Sequence, residues 1–431
     1  MNRLMQALPL GSYCGKCENK VKERNRMLVH WIWLTMLDGV GIRGQCELLR
    51  LFGSAENIYC LTRQQCENTE GFQRKWLDPV LNKDLSSAQK VMIDCDNQDI
   101  RVLPIYDELY PDRLRNIPEP PIVIYYRGTM PRVDEEAAIA IVGTRKCSAY
   151  GLLYAKQFSK LIANSGGVVI SGGARGIDTM ALQGALDSAV PVLCVLGAGI
   201  DRPYPQENRW LFREVERHGC LITEYPPGTP PNKGNFPRRN RIMSGLSVGV
   251  LVVEAPLGSG ALITANFALE QGRDVYTIPG NLGLAQCEGS NELLRDGAQL
   301  AINGWDVLQN YQHLFPGKLV DGRNKSALEK LFEARYGMSL PVYSPVFHAD
   351  PNDKKAVDNQ KESTYSMDKE PPTDLSEDEK AVYDLLGDEP QHLDEIVASG
   401  SLPSARVMAA MTMLQIKQLA EKQGANYFVR K

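Results

Sequence analysis

Short, near-continuous apolar runs alternate with amphipathic stretches through the middle of the 431-residue chain. The runs Ala138–Val142, Val168–Ile170, Val192–Leu196, Cys220–Thr223, Val248–Val253 and Asp274–Ile278 predict strands. Between them, helices are expected over roughly Tyr150–Ala163, Asp178–Ser188, Asn208–Arg217, Arg239–Ser244, Ala261–Gln271 and Asn291–Ala298. Val/Ile/Leu strands separated by single helices are the pattern of a parallel sheet covered on both faces. The expected core is a doubly wound, Rossmann-like α/β domain over 100–312.

The flanks read differently. After an extension over 1–27, apolar residues recur at helical spacing from Leu28 to about Leu85 and are punctuated by glycines, which predicts a small helical domain over 28–99. Its Gly39-Val40-Gly41-Ile42-Arg43-Gly44 turn is SAM- or helix-hairpin-helix-like. Glycine amides in such hairpins approach DNA phosphate, but a short helix connection needs glycine in any case, and packing is the preferred reading. The proline-rich stretch from Ile100 to Gly128 ends in the apolar run Ile122–Tyr126, which reads as an edge strand. Residues 336–374 are polar and proline-rich, as in a flexible linker. In 375–431, Ser376 and Glu379 form a capping box before Val382, Leu385 and Leu386. Helical stretches at Leu393–Ala398 and Ser404–Lys422, a turn at Gly424 and a strand at Tyr427–Arg430 complete a winged-helix-like unit, a fold that binds DNA or protein.

In doubly wound sheets ligands bind beyond the carboxyl ends of the strands. The first such loop holds Gly143, Thr144 and Arg145. The second, Ser171-Gly172-Gly173-Ala174-Arg175-Gly176-Ile177-Asp178, combines three glycines with a cation, as in a phosphate nest. It is neither a G-x-G-x-x-G fingerprint on the first strand nor a P-loop, so NAD binding and P-loop hydrolysis lose support. From Tyr225 to Val253 there is no Asp or Glu, while Lys233, Arg238, Arg239 and Arg241 fall within nine residues beside Asn240. Such a cluster at the ligand edge implies an anion with several phosphates, and Phe236 among the cations suits unstacked bases, unless it merely anchors its loop. Asp178 and Glu254 are the carboxylates placed for acid/base work; Asp178 is more simply a helix cap, and Glu254 suits orienting an arginine or a hydroxyl. No Ser/His/Asp or Cys/His set is visible.

Composition changes this picture in one respect. With 48 basic and 52 acidic residues the formal net charge is −4, which argues against a polycation that coats nucleic acid and leaves room only for a local basic site. The apolar run Leu28–Leu37 is too short to span a bilayer and no secretory signal is evident, so a cytoplasmic protein is expected. Ten scattered cysteines read as reduced thiols. Cys14 and Cys17 form a lone CxxC without a second pair of ligands, so no metal or other cofactor is expected.

The runs IAIVGTR, SGGARGIDTMAL, LGAGIDRPYPQEN, NFPRRNRIMSGLS and VVEAPLGSGALITANFALEQGRDVYTIPG, with the flanking helical and winged-helix-like regions, resemble the DprA/Smf family of DNA-processing proteins. The resemblance covers about Leu28 to the end, apart from the linker. It implies a non-enzymatic, homodimeric protein that binds single-stranded DNA in a basic pocket, protects incoming strands and hands them to the RecA recombinase during natural transformation. Carried over by position, Gly143, Thr144 and Arg145 match one motif and Ser171, Gly172, Gly173, Arg175 and Gly176 another, with threonine at 144 where serine is commoner. By the same resemblance Lys233 lines the pocket and Phe236 stacks on a base, within a block that includes Arg238, Arg239, Asn240 and Arg241. The competing reading is a Rossmann-like nucleotide hydrolase of the phosphoribohydrolase kind, with one phosphate in the glycine loop and Glu254 assisting cleavage.

Overall fold

A computed structural model describes residues 27–324 except 189, a few positions between 326 and 334, and 375–430 except 388–390, 400–401, 418 and 423–426. Cys14, Cys17, the linker and the Gly424 turn lie outside these residues. The described residues form two compact units, before and after the linker.

In the larger unit nine strands make one sheet. They are β1 (Arg101–Pro104), β2 (Val123–Gly128), β3 (Ala138–Val142), β4 (Val168–Ser171), β5 (Val192–Val195), β6 (Cys220–Thr223), β7 (Gly249–Val252), β8 (Asp274–Thr277) and β9 (Gln299–Leu300), in the order β1-β2-β6-β5-β4-β3-β7-β8-β9. From β6 to β9 all neighbours are parallel, while β1 pairs antiparallel with β2 and β2 with β6. The sheet is therefore mixed, and the Ile122–Tyr126 run is not its edge. Four residues at 101–104, ending in a proline, cover it on the outer side. A proline is tolerated there because an edge strand leaves one side of its backbone unpaired.

Both faces of the sheet are buried, which is why its strands read as continuous apolar runs. On β3, Ile139 and Ile141 enter one core and Ala138, Ala140 and Val142 the other. The first face carries α1 (Ala149–Asn164), α2 (Ile177–Leu186) and α3 (Arg209–His218), through residues such as Phe158, Leu182 and Phe212. The second carries α4 (Asn235–Leu246) and α5 (Gly260–Glu270), through Ile242, Met243 and Ala265. Next in the chain comes α6 (Glu288–Arg295).

The N-terminal helices share the first core, with Ile32, Leu34, Leu48 and Trp76 buried. In the glycine-rich turn, Gly39 has φ +69°, a left-handed conformation that favours glycine. Gly44 lies inside the next helix, where an added Cβ would come within 3.2 Å of the Trp76 indole nitrogen. Packing alone accounts for that glycine.

The C-terminal unit holds α7 (Glu377–Leu385), α8 (Leu393–Ser399) and α9 (Ser404–Ile416), with β10 (Gln391–His392), β11 (Ala420–Lys422) and β12 (Tyr427–Arg430) in the order β10-β12-β11. Helix α9 stops at Ile416, short of the expected Lys422, because 420–422 pair with β12 instead. The capping box forms: the Ser376 hydroxyl accepts from Glu379 N and the Glu379 carboxylate from Ser376 N at 2.7 Å. Among the described residues no helix is long and apolar enough to cross a membrane.

Candidate nucleic-acid interface

Strand β3 has β4 on one side and β7 on the other, so the chain reverses its winding there and the loop after β3 opens at the switch point. The loops that follow β3, β4 and β5 gather at that edge beside the first turn of α4. Helix α4 begins at Asn235, four residues before the sequence pattern suggests, because Pro237 lies in its first turn where its missing N–H costs nothing. Phe236 is thereby held on a helix rather than a loop.

The glycine loop after β4 is not an open anion nest. Asp178, buried at the start of α2, accepts from Ala174 N at 3.3 Å and also draws on the Gly172 amide. An internal carboxylate thus satisfies two of the loop's amides. It braces the loop upstream rather than capping α2, whose N-terminus has no side-chain cap. The glycines have packing reasons. A Cβ on Gly172 would strike the Arg239 guanidinium, and one on Gly143 the Ile177 side chain. Gly173 and Gly176 have φ of +68° and +79°, with Gly176 against the Thr144 carbonyl. Thr144 itself is tied in, its N–H donating to the Glu254 carbonyl at 2.7 Å and its hydroxyl accepting from Lys146 N. Ser171 is buried and donates to the Ile141 carbonyl at 2.7 Å.

The basic cluster divides along the helix. Consecutive helical positions point about 100° apart, so a run of cations cannot all face one way. Arg239 is 3% exposed, donates to the Val195 carbonyl and is attracted to Asp178. Burial pushes the Asp178 carboxyl up to about 6, against the pull of Arg239. Arg241 is buried and doubly bonded to Glu224, at 2.7 and 3.1 Å. Asn240 is buried and donates to the Gly260 carbonyl at 3.0 Å. These three, with Ser171, hold the fold of the edge; the sequence reading placed them at the ligand. It missed Glu224 by one residue, since the acid-free stretch begins at Tyr225. Arg175 is exposed but paired with Glu207. That leaves Arg145, Lys233 and Arg238 exposed along with the paired Arg175, and Lys233 and Arg238 flank Phe236 in the chain.

Phe236 is half-buried. One side rests on Gly197, where an added Cβ would come within 2.9 Å of the ring, and the Arg145 guanidinium lies 5.4 Å from the ring centroid. Tyr204, exposed in the loop after β5, lies 5.8 Å from Phe236 at a tilt of 54°. The ring is thus anchored on Gly197 while it also meets Arg145 and Tyr204. Tyr204 was absent from the sequence-based site, although a tyrosine before a proline beyond a strand's carboxyl end was a signal. Arg145, Gly172, Ala174, Arg175, Tyr204 and Phe236 line one small pocket.

Glu254 is 1% exposed. It accepts from Ser148 N at 2.9 Å and from the Ser148 hydroxyl, which fits the hydroxyl-orienting reading and keeps it away from any ligand in the pocket. Cys194 lies beneath the loop as an inert thiol, its pKa pushed up to about 12 by burial. No group of three or more His, Cys, Asp or Glu among the described residues is arranged to hold a metal.

Residues 101–312 match the family model described as DNA recombination-mediator protein A, and 367–426 match the DprA winged helix domain. The chain is 30% identical over 412 residues to Protein Smf from Synechocystis, covering 94% of this chain and 100% of that protein. The chain belongs to the DprA/Smf family. It is also 39% identical over 212 residues to DNA processing protein DprA from Bacillus subtilis, covering 49% of this chain and 71% of that one. The X-ray structure of DprA from Streptococcus pneumoniae superposes with a TM-score of 0.58 at 30% identity, over 65% of this chain and 97% of that one. This DprA/Smf chain thus shares with its relatives the mixed sheet that forms the edge described above, and its C-terminal unit is a winged helix.

Proposed function

We propose that this protein binds single-stranded DNA at the β3–β5 edge without catalysing a reaction on it, protects incoming strands and loads the RecA recombinase onto them during natural transformation. The observation that carries the reading is the grouping of Phe236 and Tyr204 with Arg145, with exposed Lys233 three residues before Phe236 in the chain. Unstacked bases gain about 1–3 kcal/mol each on an aromatic face, and adjacent cations take the backbone phosphates. In a duplex the base faces are stacked on one another and do not reach such a platform. Arg145, Lys233 and Arg238 act as phosphate contacts, with Arg175 exchanging Glu207 for phosphate. Arg239, Asn240 and Arg241 serve by holding α4 in place.

The nucleotide-hydrolase alternative is weakened by Glu254, the acid it needs, being enclosed by Ser148 and Gly151. The protein works in the cytoplasm as a homodimer. The dimer reading is supported by exposed Leu300 in the edge strand β9, by exposed Ile302 just beyond it, and by exposed Leu282 in the loop after β8. Exposed apolar side chains grouped in this way mark a contact surface.

The direct test is a gel shift with oligo-dT. Arg145→Ala and Lys233→Ala should each weaken binding several-fold or more, and wild-type affinity in both would refute the pocket assignment. RecA filament formation on strands coated with single-strand-binding protein, with and without this protein, tests the loading step.

A further inference from the structure

A second and larger cleft lies behind the β5 loop. It has a volume of about 320 Å³, and its walls include Gln98, Arg127, Asp201, Arg209, Arg213 and Glu216. The loop from Ile200 to Pro205 separates it from the Phe236 pocket: Tyr204 and Pro205 line the pocket, while Ile200, Asp201 and Pro203 line the cleft.

The charges of the cleft do not cancel. Arg127 pairs with Glu216 at 2.8 Å. Asp201 accepts from Gly228 N at 2.9 Å and lies 3.5 Å from Arg202. Neither the Arg209 nor the Arg213 side chain has a hydrogen bond or ion pair among the described residues, and both are exposed. They are one turn apart on α3, where like charges repel. Arg209 is moreover the first residue of that helix, the end at which the backbone dipole disfavours a cation. Two local penalties without an internal partner mark a site built for something else.

We infer that Arg209 and Arg213 form a second anion site that takes backbone phosphates of the same strand, after it passes over Tyr204 from the Phe236 pocket. The inference rests on the single-strand reading proposed above. The chemistry recognised is a phosphate ester; a continuing strand rather than a free nucleotide is favoured because one loop forms a wall of both sites.

The test compares oligo-dT of about 6 and about 20 nucleotides, within and beyond the usual site sizes, on full-length wild type and Arg209→Gln/Arg213→Gln. The wild type should bind the longer strand more tightly. The double variant should bind it about ten-fold more weakly, with a salt slope shallower by about 1.4 for two lost phosphate contacts. Its affinity for the shorter strand should equal the wild type's, which also shows that the variant is folded. Unchanged affinity and slope on the longer strand would overturn the inference, as would an equal loss on both lengths. Thermal stabilisation by dTMP that disappears in the double variant would assign the cleft to a free nucleotide and overturn it too. A wild type that binds neither length overturns the single-strand reading itself, and this inference with it.

Discussion

At the scale of single residues, three arginines of one helix have three different tasks. Arg241 neutralises Glu224 in a buried pair, so Arg241→Ala leaves a buried carboxylate alone and should cost about 3 kcal/mol or more of stability. Exposed Arg238→Ala should leave stability within about 0.5 kcal/mol and weaken oligo-dT binding instead. Chemical denaturation and anisotropy titration of the two variants would separate these roles. Asp178 gives a pH signature. Its folded pKa, raised to about 6, exceeds the unfolded carboxyl value, so the folded state takes up a proton first and this site's contribution to stability grows as pH falls from about 6 to about 4. Melting temperatures across that range should show this component in the wild type and lose it in Asp178→Asn. Residue types at the site were legible from the chain; which cations were free was not. Neutralisation of Arg239 and Arg241 comes from Asp178 and Glu224, which folding brings in from the start of α2 and the end of β6.

At the scale of elements, the parallel strands were readable because burial on both faces leaves an unbroken apolar run. Strand β1 was not, since four residues ending in Pro104 carry no such signal and their pairing with β2 is set only on folding. The start of α4 was hidden for a similar reason, as Gly-Asn-Phe-Pro reads locally as a turn. The Ser376 capping box, by contrast, is a purely local device and was visible in four letters. Ser376→Ala should cost the C-terminal unit about 1 kcal/mol. Calorimetry should show that unit's transition shifted down while the transition of the sheet unit stays in place.

At the scale of the whole molecule, the net charge of −4 conceals segregation: acids are absent from Tyr225 to Val253, a stretch that carries exposed Lys233 and Arg238. A chain of this kind should hold a strand locally without condensing on DNA in general. Removing residues 372–431 should leave oligo-dT binding nearly intact, because the aromatic and basic groups proposed to bind it all precede the linker. Leu300→Asp should lower the mass seen by light scattering toward that of a monomer if β9 forms the dimer edge. Stacking of a base on Phe236 beside Arg145 is tested most directly by fluorescence anisotropy of labelled oligo-dT with Phe236→Ala. Loss of one stacked base should weaken binding by about ten-fold, with the melting temperature nearly unchanged. Wild-type affinity in a folded Phe236→Ala protein would rule out base stacking at this ring.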